Sequence, residues 1–86
     1  MINTNVLDTN INAYRNTDLA LSGFLALEFE LLGLEKITGN RYEFVFKKTP
    51  ALEEAVQSFF NNTAKVSPFD YFNSIKSLKS RIYSRS

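Results

Sequence analysis

The chain has 86 residues, 44% hydrophobic and 14% aromatic, with a formal net charge of +1 and no cysteine or histidine. At this length it forms one domain that buries only about 60% of its unfolded surface, so most aromatic side chains go into a single core. The missing residue types exclude disulfides, thiolate nucleophiles, sulfur or imidazole metal ligands and the commonest general base near neutral pH, so the chain reads as non-enzymatic, without cofactor or metal.

Residues 1–16 hold five asparagines among isolated Ile2, Val6, Leu7 and Ile11, a composition with little to bury that predicts a flexible N-terminal arm. Thr17 is placed to cap a helix from Asp18 to about Glu28, with the Asp18 carboxylate favourable at its positive end and Leu21, Phe24 and Leu25 on one face. Leu31 and Leu32 would continue that spacing up to a cap at Gly33, so the end of the helix is ambiguous. A strand from Glu30 to Ile37 is the preferred reading, because Thr38-Gly39-Asn40 is a turn and Tyr42, Phe44 and Phe46 then alternate with Arg41, Glu43, Val45 and Lys47.

Thr49-Pro50 starts a second helix, with the hydroxyl as cap and Pro in the first turn; Leu52, Ala55, Val56, Phe59 and Phe60 form its apolar face. Asn61-Asn62-Thr63 ends it, and Ala64-Lys65-Val66 runs on as an extended link. Ser67-Pro68 repeats the capping device and launches a last helix with an apolar stripe of Tyr71, Phe72, Ile75, Leu78 and Ile82. The expected fold is α+β over residues 17–86: a two-stranded antiparallel hairpin, extended at most by Lys65 and Val66, packed against three helices. No basic region precedes an apolar run at the start, and no stretch reaches the length of a membrane span, so the expected location is cytoplasmic.

The residues from Thr17 to Tyr83 resemble a family of small proteins of bacteria and their phages known as a domain of unknown function. The resemblance rests on Thr17-Asp18-Leu19, Gly33-Leu34-Glu35, Gly39-Asn40-Arg41 before an aromatic strand, Val66-Ser67-Pro68 and Leu78-Lys79-Ser80-Arg81-Ile82-Tyr83. Phe29 departs from it, standing where such sequences often end the first helix with Gly. What the resemblance implies is a setting in phages, prophages or mobile elements, and no assigned activity.

Charge is unevenly distributed. Residues 1–35 contain Asp8, Asp18, Glu28, Glu30 and Glu35 against Arg15 alone, whereas Lys76, Lys79, Arg81 and Arg85 crowd the C-terminus. On the last helix Asn73, Ser77, Ser80 and Ser84 share a face bounded by Lys76 on one side and by Arg81 and Arg85 on the other. Small polar residues between bases suit a phosphate backbone, and Asn73, Lys76, Lys79, Arg81 and Arg85 are the candidate nucleic-acid-binding residues. The bland reading of the same face is a solvated surface whose bases favour a helix C-terminus. The strand rings Tyr42, Phe44 and Phe46 read as core rather than as a stacking platform, and the pairs Glu28/Glu30 and Glu53/Glu54 as surface charge rather than a metal site.

The leading expectation is a nucleic-acid-associated accessory protein, its partner being nucleic acid or a protein complex that handles it, with no membrane. The alternative is a protein-binding modulator or inhibitor acting through the acidic N-terminal half or the arm. A structural subunit that forms a homodimer through exposed apolar surface is a third reading.

Overall fold

A computed structural model describes residues 12–85, with Arg85 described in its backbone alone. In chain order the elements are β1 (Ala13–Asn16), α1 (Leu19–Leu25), β2 (Leu31–Thr38), β3 (Arg41–Lys47), α2 (Pro50–Phe60) and α3 (Pro68–Arg85). Among the described residues, three helices pack with one antiparallel sheet in the order β1-β3-β2.

The hairpin, the aromatic strand and the second and third helices form where the sequence puts them. Gly39 takes a positive φ of 53° at the hairpin turn, a conformation that a residue without Cβ adopts freely. The Thr49 hydroxyl accepts from the Leu52 N–H at 3.1 Å, and Pro50 occupies the first turn of α2. That helix ends in a Schellman arrangement: Asn62 is left-handed, the Thr63 N–H donates to the Ser58 carbonyl at 2.9 Å and the Asn62 N–H to the Phe59 carbonyl at 3.2 Å.

The two-stranded expectation is corrected to three strands. The third comes from Ala13–Asn16, residues assigned to the arm, while residues 1–11 lie outside the described residues. Tyr14 pairs with Phe46 and Asn16 with Phe44, so alternate β1 side chains join the helix-facing side of the sheet. Lys65 and Val66 link α2 to α3 without joining the sheet.

Two local expectations for α1 are also corrected. Asp18, rather than Thr17, is the N-cap, its carboxylate accepting from the Ala20 and Leu21 N–H groups at 2.9 and 3.2 Å. Thr17 Oγ1 instead accepts from Arg41 Nη2 at 3.1 Å. The helix stops at Leu25, and a turn through Ala26–Glu28 reverses the chain into β2, closed by the Phe29 N–H on the Leu25 carbonyl at 2.9 Å.

The core lies between the sheet and the helices. Phe44 and Phe46 from β3 and Leu34 from β2 meet Leu21 and Leu25 of α1, Leu52 and Val56 of α2, and Leu78 of α3. Tyr42, Phe44 and Phe46 are all buried, which takes the aromatic strand out of any binding surface. On the opposite sheet face, Arg15 Nη1 donates to Glu35 at 2.8 Å and to Glu43 at 3.2 Å across three strands. Those hydrogen bonds, Glu35 first, raise the pKa of Arg15.

Candidate nucleic-acid interface

The surface of α3 is set by how the helix docks on α1. Tyr71 donates its hydroxyl proton to the Ala20 carbonyl at 2.9 Å, and Ser74 Oγ donates to the Gly23 carbonyl at 2.7 Å. Gly23 allows this approach, since a Cβ there would lie 2.6 Å from Ile75 Cγ1. The side of α3 that meets the protein therefore runs through Tyr71, Ser74, Ile75, Leu78 and Ile82, with Leu78 the deepest at 3% exposed.

Phe72, expected in the apolar stripe, faces solvent instead. At about 100° per residue it stands about 120° from Leu78, and docking through Ser74 turns it outward. It joins Phe69 and Tyr83 on the solvent side; these three rings are 61%, 72% and 73% exposed. Lys76 and Lys79 are exposed too and lie between them, with the Lys76 ammonium 5.4 Å from the centre of the Phe72 ring. Phe69, Phe72, Lys76, Lys79 and Tyr83 follow one another at spacings of three, four, three and four, which keeps them on one strip of an α-helix.

Of the five residues singled out in the sequence, the four whose side chains are described spread over about 200° of α3. Lys76 and Lys79 share the aromatic strip, about 60° apart around the axis. Arg81 lies about 140° from Lys76 and, with Asn73 and Ser77, lines a groove of about 760 Å³ between α3 and the chain at residues 26–31. Glu28, Glu30 and Asp70 line the same groove. For Arg85 the helical backbone position is described and the side chain is not.

The exposed aromatics were the part missed from sequence. Their three-four spacing was legible, but an amphipathic helix presents two apolar strips here and only packing decides which one is buried. The acidic half is likewise dispersed. Asp18 is engaged as a cap, Glu35 is bonded to Arg15, and Glu28 and Glu30 face the groove; Asp8 lies outside the described residues.

Among the described residues no three or more Asp or Glu side chains converge to hold a metal ion, and no helix is long and apolar enough to cross a membrane. The described chain is thus a small α+β domain whose last helix displays three exposed rings flanking two lysines. Residues 11–84 match DUF5659, a domain of unknown function, and the chain belongs to that family. No curated protein and no solved structure matches it.

Proposed function

We propose that this chain is a small, non-enzymatic, cytoplasmic accessory protein of a phage or mobile element that associates with nucleic acid through α3. Lys76 and Lys79 hold phosphates, Arg81 and Arg85 add charge at the C-terminal end, and Asn73 contributes polar contacts from the flank. The observation that carries the reading is the pairing of Lys76 and Lys79 on an exposed strip of α3 that contains no carboxylate. Asp70, the one acid of that helix, lies on the groove side.

The alternative, a modulator that binds a protein complex through its acidic half, has weaker support, because two of its acids serve the fold itself. Affinity purification of the tagged protein from its native host, run with and without nuclease, separates the two. Nucleic acid in the untreated sample, with recovery of partners lost on nuclease treatment, supports association with nucleic acid. A stable set of proteins that survives nuclease contradicts it and supports the modulator.

A further inference from the structure

We infer that the solvent strip of α3 binds single-stranded nucleic acid, with unpaired bases stacked on Phe69, Phe72 and Tyr83 and phosphates held by Lys76 and Lys79. The inference rests on the proposed association with nucleic acid and adds the strandedness and the residues that read it. A lone exposed ring needs no explanation, but here three rings on one strip, with two lysines between Phe72 and Tyr83, are left uncovered by the fold. The strip runs about 21 Å from Phe69 to Tyr83 at 1.5 Å per residue, long enough to follow several nucleotides.

The chemistry of the strip selects among occupants. A second copy packed antiparallel on the same strip would set Lys76 against its own counterpart at the centre, burying like charges together. A partner helix would have to accept two lysines at the positions where a helix–helix seam wants apolar side chains. A duplex would offer phosphates to the lysines but keep its base faces stacked away from the rings. A single strand satisfies both residue types at once, because every unpaired base has a face that stacks on an aromatic ring and every linkage carries a phosphate. The Lys76 ammonium resting over the Phe72 ring already holds charge beside a stacking surface, as such a strand requires.

The test is fluorescence anisotropy with a labelled 20-nucleotide mixed-sequence oligonucleotide, alone and annealed to its complement, against the full chain and its F69L/Y83L variant. Leucine preserves the helix and the apolar contact area but removes the flat ring. The expected result is single-strand binding at least tenfold tighter than duplex binding. In F69L/Y83L the single-strand affinity should fall roughly 100-fold, about tenfold per lost stack, with duplex binding unchanged. Far-UV circular dichroism reports whether the variant keeps its helices; if it does not, the single variants F69L and Y83L, each expected to lose about tenfold, carry the same comparison. Duplex binding equal to or tighter than single-strand binding, or full affinity in folded ring variants, would overturn the inference while leaving the association with nucleic acid intact. Absence of binding to both forms would overturn both. A concentration-dependent dimer that the leucine variant retains and single strands do not dissociate would assign the strip to a second copy.

Discussion

Gly23 of α1 and Ile75 of α3 meet so closely that a Cβ on Gly23 would stand 2.6 Å from Ile75 Cγ1. A glycine inside a helix is unfavourable by about 1 kcal/mol relative to alanine, so Gly23→Ala gains that amount locally. Forcing a methyl group into the contact costs about 1–3 kcal/mol, and the clash outweighs the gain. G23A should therefore lower stability by about 1 kcal/mol in urea denaturation. The G23A/I75A pair should be less destabilised than the sum of its single variants, since trimming Ile75 makes room for the methyl group. Stabilisation by G23A would mean that α3 does not pack this tightly on α1.

On the open face of the sheet, Glu35 and Glu43 are register partners, with Arg15 donating to both. Like charges directly opposite each other on neighbouring strands repel, so Arg15 both pairs with them and relieves their repulsion. The Arg15→Met variant should lose about 1 kcal/mol at low ionic strength, the modest size expected of partly exposed ion pairs. High salt, or Glu43→Gln in the same chain, should recover part of the loss. An R15M effect that neither treatment alters would point to packing of the arginine stem instead.

Burial first, then the nearby Asp18 charge, raises the Tyr71 pKa above the ordinary 10.0. Tyr14 is shifted the same way by the same two causes. Below pH 10 both residues are protonated in the folded and the unfolded chain and contribute no pH dependence. Above it the unfolded chain loses these protons first, so stability falls as pH rises from 10 to the raised folded values. Thermal denaturation between pH 9 and 11.5 should show this decline, and Tyr71→Phe should make it shallower while forfeiting the hydrogen bond to Ala20 at all pH values.

The outward turn of α3 makes a contrast between two apolar residues of one helix. Phe72 is 61% exposed and Leu78 is 3% exposed. Phe72→Gln should change stability by no more than about 0.5 kcal/mol, as surface substitutions do. Leu78→Ala should cost about 2–5 kcal/mol through lost burial and the cavity left behind. Comparable losses at both positions would place Phe72 in the core.

What the sequence made legible was local. Thr49-Pro50, Ser67-Pro68 and Gly39 fix helix starts and a turn through bonds within a few residues, and Tyr42, Phe44 and Phe46 are buried as their alternation predicts, whereas Val45, expected on the open side, is buried too because β3 is the central strand. What escaped was decided by distant partners. Ala13–Asn16 reads as polar coil until β3, some thirty residues later, supplies its hydrogen bonds, and Arg15 reads as an isolated base until Glu35 and Glu43 arrive beside it. Thr17 reads as the cap from local sequence, but Asp18 takes that place while Arg41, reaching back from the hairpin, bonds the Thr17 hydroxyl. For the candidate site, composition located the basic helix and Lys76 and Lys79. Which side of α3 is left exposed, with its rings, depends on the rotation of α3 against α1, which Ser74 and Gly23 set.

The salt dependence of binding tests the central claim most directly: the affinity of the full chain for a single-stranded oligonucleotide, measured from 50 to 300 mM salt beside its K76Q/K79Q variant. Each phosphate neutralised contributes about 0.7 to the slope of log affinity against log salt, so the variant should bind more weakly with a slope shallower by about 1.4. Binding whose salt dependence is the same in both proteins, or no binding at any salt concentration, would contradict phosphate contact through Lys76 and Lys79.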